Sequence, residues 1–503
     1  MLFGRERICA VVAGSTAAEM ARQLDRALRW TRTIELRLDW LKSPREHLKF
    51  IFRSPRRRLR PTLICTCRRR PAGGRFSGNV RHQLSRFVFS WPLHPQWCDV
   101  EIETAGQFPA GELRKFLGPA RLLVSYHNFR RTPRNLAAIA RRLARSGGDA
   151  IKIATHCRSL ADCLRVLALA RGHRRVVAVP MGEYGLPARV LALREGSALA
   201  YAAVEEATAP GQLSLEAMKR VYHADTLDRR TRVYGVIGHP VGHSLSPLMH
   251  NVGFQMRRIN AVYLPFLVRD LHDFIAAIEP LGIAGFSVTL PHKQRILRYL
   301  DDCDPLAVQI GAVNTVVVRG GSRLYGYNTD YVGVLRALER RVRLRGSRVL
   351  IYGAGGAART VAFALAQGGA TVSVSARRPG PARSLARAVG GEAVPRACLR
   401  REFFDAIVNA TPVGMYPRAG KAPLRPAELN CRVVMDLIYR PAKTRLLRLA
   451  ERRGLEAISG VDMFVAQGTA QWEIWTGVRA PVAAMRRAVL AALRRESTPA
   501  GQR

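Results

Sequence analysis

The first 222 residues repeat one pattern eight times, and few folds can absorb that many repeats in so short a stretch. Strand-like apolar runs recur at 8–12, 33–38, 62–66, 99–102, 121–125, 150–153, 176–179 and 198–204, with helical patterns such as 17–30, 133–146 and 160–172 between them. One β/α unit every ~28 residues is the spacing of a compact parallel barrel. It predicts a (β/α)8 barrel over residues 1–222 whose chemistry sits at the C-terminal ends of the strands.

Polar side chains fall at those ends. Glu35 and Arg37 alternate with Ile34, Leu36 and Leu38 and so share one strand face. Arg68 follows the third run, His127 the fifth, Arg189 the seventh, and Thr208 with Gln212 the eighth. Lys152 stands inside the sixth run between Ile151 and Ile153. Burial disfavours an ammonium, so this position predicts a neutral amine able to act as a Schiff-base nucleophile, with His127 as its proton shuttle. A barrel holding one buried Lys–Glu pair and a core histidine would leave the same residues in place.

The motifs ELR (35–37), SYHNFRRTP (125–133), IKIA (151–154) and ATAPGQ (207–212) resemble those of the type I 3-dehydroquinate dehydratases, and the resemblance spans the whole first half. It implies an imine between Lys152 and the ketone of 3-dehydroquinate, with His127 removing the proton and protonating the leaving hydroxyl. Glu35, Arg37, Arg68, Arg189, Thr208 and Gln212 would bind substrate, Arg189 through the carboxylate. Thr208 replaces the usual Ser and keeps the hydroxyl. One position departs from the pattern: the family's Glu before Gly-Gly, which orients the histidine, is Ala72 in RRRPAGGR. That role would pass to another acid such as Glu101 or Glu103, or the dehydratase would be impaired.

Composition limits the alternatives. The net charge of +44 raises the question of a nucleic-acid-binding protein, but only eight of the 81 basic residues are Lys and the arginines are spread along the chain. Runs such as Arg56-Arg57-Arg58 and Arg68-Arg69-Arg70 lack interleaved aromatics, so no specific nucleic acid is expected as partner. The nine cysteines are scattered and only Cys65 and Cys67 lie close together, which favours reduced structural thiols and no metal. Apolar runs fall short of the ~18 residues of a membrane helix, and the N-terminus lacks a signal-peptide layout. A soluble, cytoplasmic protein without membrane contact is expected; the sequence leaves the oligomeric state open and is compatible with a monomer.

The polar stretch HADTLDRR marks a linker at 223–231, after which strands and helices alternate over 232–332 as an open α/β substrate domain. Its opening, VYGVIGHPVGHSLSPLMHN (233–251), offers Ser244 and Ser246 between a strand and a helix start. SVTLPHK places Thr289 at a strand end and Lys293 in the first turn of the next helix, GAVNT places Asn314 at a strand start, and GYNTD places Asp330 before a helix. In one cleft, Lys293 and Asp330 would form a proton donor; apart, an ordinary surface ion pair. RVLIYGAGGAAR then gives strand, Gly353, Ala354, Gly355, Gly356, Ala357 and helix, a turn that admits a pyrophosphate to the helix N-terminus and defines a Rossmann-like domain over 333–475. The next strand leads to Arg377 and Arg378 in place of an acidic residue, which favours the 2′-phosphate of NADP(H) over NAD.

These motifs, with NATPVGM (409–415), DLIYRP (436–441) and GVDMFVAQG (460–468), resemble shikimate dehydrogenase across the second half. The resemblance implies that Ser244, Ser246, Thr289, Asn314, Asp330 and Gln467 hold substrate, that Lys293 and Asp330 are the catalytic pair, that Tyr439 approaches the carboxylate, and that Thr411 and Met463 border the nicotinamide. A helix over 476–495 would return to the substrate domain, leaving a disordered tail at 496–503. The expectation is a bifunctional enzyme: 3-dehydroquinate loses water, and NADPH reduces the 3-dehydroshikimate to shikimate. The alternatives are a quinate/shikimate dehydrogenase with an impaired dehydratase half, and a basic nucleic-acid-binding protein.

Overall fold

The computed structural model describes residues 2–4, 6–42, 60–416 and 419–497; the run Arg56-Arg57-Arg58 and residues 498–503 of the expected tail lie outside them. The chain forms two compact units, Met1–Val233 with Leu264–Gly282, and Tyr234–Tyr263 with Ile283–Arg503.

The first unit is built on eight parallel strands: β1 (Ile8–Val12), β2 (Thr33–Arg37), β3 (Thr62–Thr66), β4 (Trp97–Glu101), β5 (Arg121–Asn128), β6 (Ala150–His156), β7 (Val176–Met181) and β8 (Ala200–Ala203). Their order is β7-β6-β5-β4-β3-β2-β1-β8. The Ala198 N–H donates to the Val176 carbonyl at 2.9 Å, bringing the two ends of the ladder together as a (β/α)8 barrel. Period-2 alternation decides what points inward. Trp97, Leu123, Ala150, Ala154, Val177, Val179 and Tyr201 fill the interior, with Phe3 tilted against Trp97 at 4.2 Å between ring centroids. Lys152 lies two residues from both Ala150 and Ala154 and shares their face. In register it pairs with Ser125 on β5 and Val177 on β7.

The chain after the barrel forms two six-stranded sheets. The first has the order β10-β9-β11-β13-β14-β12, with β9 (Arg232–Gly238), β10 (Ala261–Leu267), β11 (Ile283–Val288), β12 (Asp302–Cys303), β13 (Thr315–Arg319) and β14 (Arg323–Tyr327). β13 runs antiparallel to both β11 and β14. The second consists of β15 (Arg348–Tyr352), β16 (Thr371–Ser375), β17 (Glu392–Ala393), β18 (Phe404–Asn409), β19 (Cys431–Asp436) and β20 (Glu456–Ile458). All its pairs are parallel, in the order β17-β16-β15-β18-β19-β20. This doubly wound arrangement reverses direction between β15 and β18, and a crevice at that switch point is where such sheets bind ligands. The helix Val482–Ser497 takes in the first two residues of the expected tail. No helix among the described residues is long and apolar enough to cross a membrane.

One glycine sets the distance between two site-bearing helices, Thr329–Leu338 and Gly460–Thr476. A Cβ at Gly333 would meet the Met463 carbonyl oxygen at 2.9 Å and Gln467 Cβ at 3.0 Å. Alanine gains up to ~1 kcal/mol in helix propensity, but overpacking against fixed backbone costs about 1–3 kcal/mol. Gly333→Ala is therefore expected to destabilise the second unit, read as a lower urea midpoint for loss of its tryptophan fluorescence, and to weaken substrate binding. An unchanged midpoint would show that the helices can move apart.

Candidate active sites

In the barrel the charged residues form one buried network. Lys152 Nζ lies 3.0 Å from Asp99 Oδ2 and 3.5 Å from Glu35 Oε1. Asp99 Oδ1 also takes Arg68 Nη2 at 2.8 Å and the Ser125 hydroxyl at 2.6 Å, while Arg68 Nη1 donates to Ser125 Oγ at 2.8 Å. Thr66 Oγ1 donates to Glu35 Oε1 at 2.8 Å. Arg68, Lys152 and His127 hold the Asp99 carboxyl far below the usual carboxylate range against the opposing effect of burial. The lysine that the sequence places between the apolar flanks Ile151 and Ile153 thus has two carboxylates within reach on other strands.

A cavity with about 470 Å³ of empty space, its open mouth included, is lined by Glu35, Arg37, Arg68, His127, Lys152, Arg189, Thr208 and Gln212. The eight residues expected at the strand ends thus converge. Burial, with Arg68 and Lys152 adding repulsion, keeps His127 well below its ordinary pKa and hence neutral. Arg37 is committed to Asp39 through two hydrogen bonds of 2.9 and 2.8 Å, and Thr208 donates to Gln212 Oε1 from both N–H and hydroxyl. Arg189 differs: it is buried, and among the described residues its side chain donates only to the Pro210 carbonyl at 3.0 Å and pairs with no carboxylate. Burial pushes it down to about 10, still charged at neutral pH.

His127 Nδ1 is buried without a hydrogen-bond partner, and Ala72 lines the same cavity. Neither substitute acid serves it. Glu101 accepts from the Arg69 N–H and Gln83 and lies 3.5 Å from Arg68, and Glu103 is exposed. The barrel residues not foreseen are Asp99, Ser125 and Tyr201. Asp99 had a signal, since WCDVE alternates as ELR does.

In the second unit Lys293 Nζ donates to Asp330 Oδ2 at 2.6 Å. Lys293 lies in a turn ahead of the short 3-10 helix Arg295–Tyr299, not in a first helical turn. The His292 N–H closes that turn onto the Thr289 carbonyl, and the Val313 N–H binds the Lys293 carbonyl at 2.8 Å, fixing the backbone beside Asn314. The Asn314 side-chain oxygen accepts from Thr315 Oγ1, Thr329 N and Thr329 Oγ1, so what it can offer a ligand is its amide N–H2. Asp330 lies in the first turn of Thr329–Leu338, where Asn328 caps its N–H. Ser244 Oγ accepts the Ser246 N–H, and Ser246 begins the helix Ser246–Met256. Gln467 is buried and donates to the Phe464 carbonyl, and Tyr439 stacks on Phe464 at 4.7 Å. Gln471, one turn beyond Gln467 and not foreseen, donates to the Asn314 carbonyl at 3.2 Å and accepts from Ser287 at 2.9 Å. Its spacing of four was the available signal.

The nucleotide-type turn fits a dinucleotide. Gly353 has φ +125°, and a Cβ there would meet the Ala410 carbonyl oxygen at 3.0 Å. At Gly355 and Gly356 a Cβ would meet nothing within 4 Å, and the helix Gly356–Gln367 begins with no side-chain cap. Ala354 packs on the core below, while Ala357 is exposed beside the glycines. The first helical N–H groups therefore face open space suited to a phosphate. Arg377 and Arg378, just past the end of β16, are exposed, and neither side chain has a hydrogen-bond or ion-pair partner among the described residues. Thr411 donates to Asn409 Oδ1 from N–H and hydroxyl, Asn409 donates to Asp436, and Met463 packs on the edge of the core. Among the described residues no group of three or more His, Cys, Asp or Glu side chains could hold a metal ion.

Comparison with known proteins finds relatives for both halves of the chain. Residues 8–229 match the type I 3-dehydroquinase family, 236–316 the shikimate dehydrogenase substrate binding domain, and 460–490 the shikimate 5'-dehydrogenase C-terminal domain. A shikimate dehydrogenase (NADP(+)) of Thermococcus kodakarensis is 45% identical over 270 residues, 52% of this chain and 97% of that protein. A crystal structure of a shikimate dehydrogenase in complex with NADP+ has a TM-score of 0.50 at 39% identity, covering 53% of this chain and 96% of that one. A bifunctional 3-dehydroquinate dehydratase/shikimate dehydrogenase of Arabidopsis thaliana, described as chloroplastic, is 35% identical over 502 residues, 94% of this chain and 82% of that protein. With one relative alike over 94% of this chain and each half matching its own family, the chain belongs to the bifunctional 3-dehydroquinate dehydratase/shikimate dehydrogenases.

Proposed function

We propose that the barrel dehydrates 3-dehydroquinate to 3-dehydroshikimate and that the second unit reduces this product to shikimate with NADPH. The observation that carries the first step is Arg189, a buried guanidinium without a carboxylate in the cavity that holds Lys152 and His127. A buried charge is stable when paired, and the carboxylate of the substrate supplies the missing partner. Lys152 then attacks the ketone. His127 takes the proton that frees the amine lone pair, the amine adds to the ketone, and that proton leaves with the former carbonyl oxygen as water, giving a protonated imine that keeps its pairing with Asp99. Neutral His127 relays the protons: it takes one from the carbon beside the imine and delivers it to the departing hydroxyl. Glu35, Arg37, Arg68, Thr208 and Gln212 bind the remaining oxygens. Borohydride with 3-dehydroquinate should leave a reduced adduct on Lys152 by mass spectrometry, and an adduct elsewhere, or none, would refute the assignment.

In the second unit Ser244, Ser246, Thr289, Asn314, Tyr439 and Gln467 hold 3-dehydroshikimate, with Tyr439 toward its carboxylate. Bound NADPH supplies the hydride. Lys293, aligned by Asp330, protonates the developing alkoxide. Gly353, Ala354, Gly355, Gly356 and Ala357 hold the pyrophosphate, Thr411 and Met463 border the nicotinamide, and Arg377 with Arg378 grips the 2′-phosphate. Each charge-assisted hydrogen bond is worth ~1.5–3 kcal/mol. Arg377→Ala with Arg378→Ala should therefore raise the KM for NADPH by about 10- to 100-fold while NADH changes little. Equal effects on both cofactors would remove the arginines from 2′-phosphate recognition.

The orphaned His127 Nδ1 makes a further test. Ala72→Glu is expected to supply the missing acceptor, raise dehydratase kcat by up to about tenfold, and shift the acid limb of its pH profile upward, because a neighbouring carboxylate stabilises the imidazolium. A profile that does not move would show that the new carboxylate misses the ring. The cysteines are free thiols, which supports a reducing, cytoplasmic setting for both reactions.

A further inference from the structure

We propose that Tyr201 is a working residue of the barrel site: its ring face holds the positively charged Nζ of Lys152 through imine formation, and its hydroxyl donates a hydrogen bond to an oxygen of the bound substrate. The inference rests on the dehydratase reading of the barrel and adds a residue to it.

Tyr201 lies on β8 in register with Cys9 of β1, and alternation turns it into the barrel. Lys152 Nζ sits 3.8 Å from the centroid of its ring, inside the ~6 Å range in which a ring quadrupole attracts a cation. Nζ is the atom of the site at which the covalent bond forms, and as a protonated imine it carries a positive charge. Asp99 and Glu35 pair with it, and the ring face is its third neighbour. A ring stabilises a cation whose hydrogen-bond donors have been reduced from three to one, which a carboxylate pair does less well. The ring therefore gains relative weight as the ammonium becomes an iminium.

The hydroxyl carries the second half. It is buried, makes no hydrogen bond, and belongs to a residue that lines the same cavity as Lys152, His127 and Arg189. Phenylalanine would fill the barrel equally well, and a buried hydroxyl without a partner costs about 1–3 kcal/mol. Burial, with Glu35 and Asp99 nearby, holds the phenol well above its ordinary pKa, so it is a donor throughout the working range. Its natural complement is an uncharged oxygen of a polyhydroxylated acid whose carboxylate lies on Arg189.

Two variants separate the two roles. Tyr201→Phe removes only the donor and should raise the KM for 3-dehydroquinate by about tenfold with kcat within about twofold. Tyr201→Leu removes the ring and should lower both kcat and the rate of borohydride trapping on Lys152 by about tenfold or more. Should leucine unfold the barrel, 3,4,5-trifluorophenylalanine at position 201 keeps the shape and weakens the ring face, and trapping should slow relative to Tyr201→Phe. Shikimate oxidation by the same chains is the internal control. Wild-type KM in Tyr201→Phe, or trapping that does not respond to the ring, overturns the proposal. A wild-type chain that yields neither dehydration nor an adduct overturns the barrel reading itself, and the proposal with it.

Discussion

Lys152→Met removes dehydratase turnover by about 10³-fold or more and leaves shikimate oxidation by the same chain unchanged. Among the described residues no other amine lines the barrel cavity, so none of them replaces the covalent step when this one is lost. The variant also carries a structural cost. It strips the cation from Asp99 and Glu35, and leaving buried charge unpaired costs about 3–5 kcal/mol, although Arg68 stays on Asp99 at 2.8 Å and offsets part of this. Lys152→Arg separates the two effects, because it restores the positive charge while its guanidinium cannot form an imine. Both variants should be inactive in dehydration, and only the methionine variant should lose much thermal stability. Dehydratase activity surviving in either one would sink the Schiff-base assignment.

Lys293→Ala lowers the reduction of 3-dehydroshikimate by about 10²- to 10⁴-fold, the usual worth of a positioned general acid, with the barrel reaction untouched. Here stability does not confuse the result. The Lys293 and Asp330 side chains are 32% and 16% exposed, and a pair open to solvent contributes ~1 kcal/mol or less. Asp330→Asn keeps the size and a hydrogen-bonding group but removes the charge that aligns the ammonium, so its kcat should fall less than that of Lys293→Ala while its KM rises more. Turnover near wild type in Lys293→Ala would return the pair to an ordinary surface salt bridge.

Much of the architecture was legible because it is periodic. The spacing of eight strands announced the barrel, and GAGGAA between an apolar run and a helix announced the second nucleotide-type sheet. The strand order β17-β16-β15-β18-β19-β20 was not, since neighbours far apart in sequence are chosen by packing rather than local pattern. Among the site residues, the strand-end side chains of the barrel converged because alternation fixes direction once the strand is known. The ion-pair partners of Lys152 did not follow. Its flanks, Ile151 and Ile153, point away from the interior, and its partners Asp99 and Glu35 stand on other strands. Tyr201 escaped for the same reason: AYAA reads as packing until Lys152, 49 positions earlier, is found over its ring. Lys293 was misplaced by one turn because Pro291 and the Thr289–His292 bond spend the start of the expected helix on a turn. Ala72 was legible as a departure, and its consequence, a histidine nitrogen without an acceptor, needed the fold.

The central claim is that one chain carries both reactions in sequence, and a coupled assay tests it most directly. Purified chain and NADPH are mixed, 3-dehydroquinate is added, and absorbance at the nicotinamide band is followed. NADPH oxidation is expected after a lag, with one equivalent of shikimate for each NADPH consumed, abolished by either Lys152→Met or Lys293→Ala and restored by mixing the two variants. NADPH consumption with 3-dehydroshikimate but none with 3-dehydroquinate would contradict it, leaving a dehydrogenase fused to a barrel without dehydratase activity.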